Sequence, residues 1–153
     1  MDVLTRDETI AVLEDHASRQ QHTGKMDQPN ARALGYNPAC GDRYEVFIRL
    51  IDGRLNEVRY HGFGCVISKA SASMMARSLE GHSEENALAL IDGVRAAVME
   101  GAELPGGVDN DISVLMGARE HPSRIKCVLL PWQSAFAALS GTETATTETA
   151  TTL

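Results

Sequence analysis

The chain has 153 residues, of which 43% are hydrophobic, and a formal net charge of −7. This length fits one domain that buries roughly two-thirds of the surface of its unfolded chain, so a core does not require a metal. The acidic balance, without basic clusters interleaved with aromatic residues, argues against nucleic-acid binding. No apolar run has the roughly 20 residues of a membrane helix, and Met1-Asp2 is unlike a signal-peptide start. We therefore expect a cytoplasmic protein with unpaired thiols.

The N-terminal part of the chain is predicted to form a helix and then a loop. Thr5-Arg6-Asp7-Glu8 has the sequence of a capping box, and apolar residues at helical spacing extend the helix to about Arg19. The stretch Gln20–Ala39 is polar, contains glycine and proline, and shows no sustained period. We predict an ordered loop there that leads to Cys40.

A hairpin is the clearest β signal. Aliphatic residues occupy every second position of Val46–Leu50, Asp52-Gly53 supplies a type I′ turn, and Leu55–His61 can return as the partner strand. The hairpin places Cys40 just before its first strand and Cys65 just after its second. Antiparallel pairing therefore brings both thiols to the same end of the sheet.

Helices are predicted for most of the remaining chain. Periodic apolar positions indicate helices over Val66–Glu80, between Ser83 and Gly101, over Ile112–Ala118 and over about Ser123–Leu139, with a loop at Leu104–Asn110. Pro131 lies inside the last helix, and its ring clashes with the carbonyl of Cys127 four residues earlier. We expect this helix to kink or start there, which would make the backbone near Cys127 irregular. We also expect the Cys127 thiol to lie at the same end of the domain as the other two thiols.

The C-terminal end differs in composition from the rest. From Gly141 onward the sequence is a threonine-rich repeat with too few apolar groups to repay ordering. We predict one domain over residues 1–140 and a disordered tail over residues 141–153.

Three cysteines and one aspartate form a candidate metal site. An odd number of thiols excludes a closed set of disulfides. Zinc favours four tetrahedral ligands drawn from thiolates, imidazoles and carboxylates. The candidate ligands are Cys40, Asp42, Cys65 and Cys127. The four ligands carry more negative charge than one zinc ion neutralises. The cations Arg124 and Lys126 flank Cys127 and are candidates to balance the remainder from outside the ligand set.

These cations, and the start of the helix after Cys65, should lower the thiol pKa values and make the site nucleophilic. Simpler readings stay open. A free cysteine is often a small buried hydrophobe, and Asp42 could merely cap the turn before a strand. The five histidines lack a paired spacing and are expected to be surface or structural, and no Ser-His-Asp set is visible in the sequence.

Three blocks resemble the SufU branch of the family that also contains IscU and the N-terminal domain of NifU. They are Asn37-Pro38-Ala39-Cys40-Gly41-Asp42, Gly62–Met75 and Arg124–Trp132, within a match over about residues 5–139. Lys126 stands where the scaffold branch usually has histidine, and the long stretch Gly81–Ser123 also favours SufU. Two residues depart from the family pattern: Phe63 stands where an acid is common, and Ala17 where an aromatic is common.

The resemblance implies an α+β fold, a small antiparallel sheet of about three strands covered by helices. Periodicity identifies only two strands, so the position of the third is left open between Arg32–Tyr36 and elsewhere. The resemblance also implies a tight zinc site on the four candidate ligands. It implies a zinc-dependent sulfurtransferase that takes persulfide sulfur from a SufS-type, pyridoxal-phosphate cysteine desulfurase and passes it to downstream iron–sulfur assembly proteins.

We expect Cys40 to accept the sulfur, because Gly41 and the preceding loop give it room to move. Two alternatives remain. In one, the same four residues hold iron or a [2Fe–2S] cluster and the protein is a scaffold. In the other, zinc is purely structural and its removal unfolds the chain.

Overall fold

The computed structural model describes residues 5–141 and 144–146. The sheet contains three consecutive antiparallel strands, β1 (Ala31–Asn37), β2 (Asp42–Ile51) and β3 (Arg54–Phe63), and β2 lies between the other two. The helices are α1 (Arg6–Ser18), α2 (Val66–Leu79), α3 (Glu84–Glu100) and α4 (Pro122–Leu139), with a 3₁₀ helix at Asn110–Glu120. The predicted α+β class is confirmed. Within the described ranges, no helix is both long enough and apolar enough to cross a membrane.

The hairpin forms as predicted. Asp52 and Gly53 both have positive φ, 52° and 76°, as a type I′ turn requires. Val46 and Ile48 of β2 are fully buried on the inner face of the sheet. The turn lies at one end of the hairpin, so the start of β2 and the end of β3 meet at the opposite end.

The third strand lies at the position left open at Arg32–Tyr36, and it corrects our prediction of a loop over Gln20–Ala39. Ala31–Asn37 forms β1, which pairs antiparallel with β2 from Ala31↔Ile48 to Asn37↔Asp42. The inner face of β1 carries Ala33, Gly35 and Asn37, and none of these is a large apolar residue. Burial alternates along β1, but hydrophobicity does not, so the sequence pattern did not indicate a strand there.

Helices α2 and α4 cover the inner face of the sheet and pack against each other. The buried Ser71 hydroxyl joins them, because it donates to the Val128 carbonyl at 2.5 Å and accepts from Trp132 Nε1 at 3.0 Å. Helix α4 begins at Pro122 and continues through Pro131, so the predicted start at Pro131 is wrong. Pro122 suits the first turn of α4, because a backbone N–H at that position would have no hydrogen-bond partner within the helix.

Helix α1 is held by a buried histidine. Thr5 caps the helix as predicted, accepting from the Glu8 amide at 3.1 Å. Further along, His16 Nδ1 lies 3.2 Å from Ser73 Oγ and its Nε2 lies 2.8 Å from Asp111 Oδ2. The fold thus assembles a Ser-His-Asp set that the sequence did not reveal. His16 and Ser73 are buried, so the set links α1, α2 and the 3₁₀ helix rather than facing a substrate.

Most of the predicted tail, residues 141–153, lies outside the described residues. Within it, Thr144–Thr146 forms a short strand, β4, that pairs in parallel with Leu34–Tyr36 of β1. The sheet therefore has the order β3-β2-β1-β4.

The contact between β1 and α4 yields a stability prediction. A Cβ on Gly35 would overlap Ser134 Oγ and lie 3.1 Å from Leu130 Cδ1. We expect Gly35→Ala to lower the free energy of unfolding by about 1–3 kcal/mol through overpacking. Thermal and urea unfolding measure the loss. Gly117→Ala is the matched control, because a Cβ there has no neighbour within 4 Å.

Adding Ser134→Ala to Gly35→Ala removes the overlapped hydroxyl and should recover part of the lost stability. Equal stability of the Gly35→Ala and Gly117→Ala proteins would contradict this account of how α4 seats on β1.

Candidate metal centre

Four chain segments bring the predicted ligands to one end of the sheet. Cys40 lies in the turn between β1 and β2, and Asp42 is the first residue of β2. Cys65 follows β3 and is the N-cap of α2, while Cys127 lies in the second turn of α4. The turn is tight, because the Gly41 amide donates to the Asn37 carbonyl at 2.7 Å and Gly41 has a φ of 75°.

Three of the four predicted ligands lie mutually close. One ligand atom each from Cys40, Asp42 and Cys127 lie within 4.8 Å of one another, and the Sγ atoms of Cys40 and Cys127 are 4.0 Å apart. Cys65 is outside this three-residue group, but its thiol interacts with that of Cys127, and the pKa values of the two thiols are linked. Within the described part of the chain, no histidine belongs to the group.

The cluster has a buried half and an open half. Asp42 and Cys127 are buried, whereas Cys40 and Cys65 are exposed. Asp42 Oδ2 is buried and has no hydrogen-bond partner among the described residues. A buried carboxylate oxygen without a partner is costly, and a bound cation would remove that cost. The donor set and this oxygen both fit a metal ion such as zinc.

The two neighbouring thiols differ in pKa. The hydrogen bond from Cys127 lowers the pKa of Cys65 to about 5 against the opposing effect of burial, with further help from the Ser68 amide 3.5 Å from its Sγ. The same bond raises the pKa of Cys127, together with burial and the negative charges of Cys65 and Asp42. Without a cation, one proton therefore remains between these two sulfurs.

Our expectation of lowered thiol pKa values holds for Cys65 at the start of α2 and is wrong for Cys127. Arg124 is exposed and Lys126 is half-buried on the same helix turn. Their positive charge does not overcome the effects of Cys65, burial and Asp42 on the pKa of Cys127.

Sequence reasoning missed the polar residues that shape the cluster. Asn37 Oδ1 accepts from the Ala39 amide at 3.2 Å and so forms the turn that carries Cys40, while its Nδ2 lies 4.0 Å from Cys127 Sγ. The Asn-Pro pair before Cys40 was a turn signal that could have indicated this. Ser68 Oγ lies 3.1 Å from the buried Tyr44 hydroxyl, and no sequence signal marks that pair.

Gly64 has a steric reason to be glycine. A Cβ at this position would overlap Ser68 Oγ and lie 2.9 Å from the Tyr44 hydroxyl and 3.0 Å from Asp42 Cγ. The backbone before Cys65 thus passes directly over the start of β2. Any side chain there would push Cys65 away from Asp42.

The arrangement is an α+β domain with three thiols and a carboxylate gathered at one end of its sheet, which defines a class of metal- or sulfur-handling proteins. The sequence pattern of the "NifU-like N terminal domain" family matches residues 8–140. The chain therefore belongs to this family, as the resemblance in the sequence implied.

Curated relatives and solved structures agree with this assignment. The IscU scaffold protein of Streptococcus pyogenes serotype M1 is 36% identical, over 82% of this chain and 78% of its own length. The zinc-dependent sulfurtransferase SufU of Bacillus subtilis is 33% identical, over 80% and 83%. A SufU crystal structure from Fervidobacterium islandicum, described as a scaffold for the SUF system, superposes with a TM-score of 0.76 at 27% identity, over 84% of this chain and 93% of that one. The chain thus belongs to an iron–sulfur cluster assembly family whose members are named both as scaffolds and as a sulfurtransferase.

The paired pKa shifts predict how the metal-free thiols react. Because the thiolate is the nucleophile, the rate of alkylation of Cys65 by iodoacetamide should rise with pH, with its midpoint at about pH 5, and then level off. Cys127 should stay protected at neutral pH, because its pKa is raised and it is buried. Peptide mass spectrometry after chelation measures both rates.

Replacing Cys127 by alanine removes the hydrogen-bond donor, so the midpoint for Cys65 should move to higher pH. A midpoint for Cys65 that is the same in both proteins would show that its thiolate does not depend on Cys127.

Proposed function

We propose that the chain is a zinc-dependent sulfur acceptor of iron–sulfur cluster assembly, served by a SufS-type cysteine desulfurase. One observation carries this proposal: an exposed thiol, Cys40, lies on a glycine turn beside a buried carboxylate oxygen of Asp42 for which the described residues provide no hydrogen-bond partner. The first feature suits a group that must meet another protein. The second suits a resident cation. The name of the Bacillus subtilis relative, a zinc-dependent sulfurtransferase, supports the combination.

The residues that would hold zinc are Cys40, Asp42, Cys65 and Cys127. When bound, zinc would keep thiols deprotonated without redox chemistry of its own, so sulfur is not lost to electron transfer. The buried residues Asp42 and Cys127 serve as anchors. Cys65 is fixed by its position as the cap of α2, where the Ser68 amide points at its sulfur.

Cys40 is the residue that takes the sulfur. Its thiolate attacks the outer sulfur of the persulfide on the desulfurase, a new S–S bond forms to Cys40, and the old S–S bond breaks. The electron pair of the broken bond leaves with the desulfurase cysteine as a thiolate. Cys40 then carries the persulfide, and no external oxidant or reductant is consumed. A downstream thiol or assembly protein can remove the sulfur by the same exchange.

The scaffold function is the second candidate. The Streptococcus pyogenes and Thermotoga maritima relatives, 36% and 30% identical, are both named scaffold proteins. The same donors could hold a [2Fe–2S] cluster. Lys126, rather than a histidine, precedes Cys127, and no histidine joins the three-residue group in the described ranges. These two features favour the zinc-dependent acceptor.

A purely structural zinc site fits the fold less well. The apolar core extends over the sheet and the helices, with Val12 and Leu13 of α1 packed against it, and it contains the fully buried Trp132, Ile48 and Leu130. Such a core should persist after chelation, whereas a structural zinc module unfolds without its metal.

Metal binding by Asp42 is directly testable. We expect about one zinc per purified chain, since the four donors fill one tetrahedral site. Asp42→Asn keeps the shape but removes the charge, and it should weaken zinc binding by at least the roughly 10–100-fold that loss of an outer partner costs. Competition with a chromophoric chelator measures the affinity, and Asp52→Asn in the hairpin turn is the control. Unchanged affinity in Asp42→Asn would exclude Asp42 as a ligand.

The role of Cys40 has a separate test. With the desulfurase and ³⁵S-cysteine, the label should appear on the peptide that contains Cys40. Cys40→Ala should keep its circular dichroism spectrum, because the side chain is exposed, and should accept no sulfur. Label on the Cys65 or Cys127 peptide would reject the assignment. A visible cluster, assembled on the protein and delivered to an apo-acceptor without persulfide on Cys40, would favour the scaffold.

A further inference from the structure

Exposed apolar side chains gather around the open half of the cysteine cluster. Among the described residues, six large apolar side chains are exposed, and three of them lie at the thiol end of the sheet. Phe63 is 61% exposed, Val66 43% and Tyr36 36%. Phe63 and Val66 lie within two residues of Cys65 in the sequence. A soluble domain gains nothing from keeping such groups in water, so a concentration of them marks a contact surface.

The strand register arranges part of this surface in a row. Tyr36 of β1 is the partner of Arg43 of β2, and Arg43 is the partner of Phe63 of β3. Cross-strand partners point to the same face of a sheet. All three are exposed, so they form a continuous row on the outer face. The next pair along β1 and β2, Asn37↔Asp42, leads directly into the turn that carries Cys40.

The centre of the row is a cation that lacks a carboxylate. Arg43 lies over the Tyr36 ring at 5.3 Å from its centroid, and no carboxylate of the described residues pairs with it. Exposed Lys69, in the first turn of α2, adds a second positive charge near Cys65. In a chain of net charge −7, Arg43 and Lys69 thus place two exposed positive charges beside the apolar side chains of this surface.

We propose that Tyr36, Arg43, Phe63 and Val66, here called the outer rim, dock the protein that delivers sulfur to Cys40. The matching surface on that partner is an apolar loop that bears a carboxylate. This inference rests on the proposed function, because a sulfur donor must bring its reacting atom within bonding distance of Cys40. The outer rim borders the Cys40 thiol, so a donor bound at that thiol also covers the rim. Arg43 pairs with the carboxylate of the loop, and the rim also favours the approach of an anionic persulfide.

The experiment uses the zinc-loaded full chain and the cysteine desulfurase of the same organism. Alanine formation from cysteine is measured against the concentration of the chain. Phe63→Asp and Arg43→Glu should each raise the concentration for half-maximal stimulation by at least about tenfold, as loss of an aromatic or arginine anchor does at interfaces. Bound zinc and the rate at saturation should stay unchanged, because neither side chain is a ligand.

Ile51→Asp is the matched control. Ile51 is 48% exposed at the far end of β2, beside the hairpin turn and away from the thiols. This variant should behave as the wild type. Added salt should weaken stimulation by the wild type and affect Arg43→Glu less, because that variant has lost the attractive charge.

The outcomes separate the two proposals. If the wild type fails to stimulate the desulfurase, the sulfur-acceptor function and the docking inference both fall. If the wild type stimulates it but Phe63→Asp and Arg43→Glu match Ile51→Asp, the acceptor function stands and the outer rim is not the docking surface. Loss of zinc from the rim variants together with lost stimulation would likewise overturn docking as the cause.

Discussion

A buried oxygen of Asp42 lies next to three thiols, has no hydrogen-bond partner in the part of the chain that the structure describes, and so constrains how this end of the molecule is built. Carboxylate and thiolate charges repel one another, and burial of half of the cluster strengthens that repulsion. Cys65 and Cys127 respond by dividing one proton between them, which lowers the pKa of the first and raises that of the second. A divalent cation would satisfy Asp42 and replace that proton, so the metal-free arrangement already has the charge pattern of a site that requires a cation.

The rest of the fold holds the four donors at that point. Gly35 lets α4 lie directly on β1, and Ser71 ties α2 to α4 through Val128 and Trp132. These contacts fix the helix that carries Cys127 relative to the helix that Cys65 caps. Helices and a strand thus position three donors. Cys40 instead lies on the short turn between β1 and β2, flanked by Ala39 and Gly41. This difference in support is the physical basis for assigning the mobile role to Cys40.

The structure could be predicted best from the sequence where short-range sequence signals are strong. The Asp52-Gly53 turn, the Thr5 cap and the cysteine contexts each have short-range signals, and they were enough to place Cys40 and Cys65 at one end of the hairpin. β1 could not be identified, because its buried face carries Ala33 and Gly35, whose small size is required by α4 and not by any strand preference. Of the kink or start expected at Pro131, the start was wrong, because α4 begins at Pro122 and runs through Pro131. The pKa of Cys127 also depends on neighbours distant in sequence, chiefly Cys65 and Asp42, which spacing alone does not reveal.

Function follows from the asymmetry between the two halves of the cluster. In the proposed function, the buried donors would retain the metal, the exposed thiols would meet the partner protein, and the outer rim would provide its docking surface. The same family contains proteins named as scaffolds, and the chemistry of the donors permits both uses. Under the proposal, which use applies depends on how tightly the site would hold zinc and on whether Cys40 can leave the metal.

X-ray absorption at the zinc edge of the purified protein tests the central claim most directly, because it reports the ligand set itself. Our account predicts three sulfur ligands at about 2.3 Å and one oxygen at about 2.0–2.2 Å. A spectrum with two or fewer sulfur ligands, or with imidazole as the fourth ligand, would show that the three thiols and Asp42 do not share one ion.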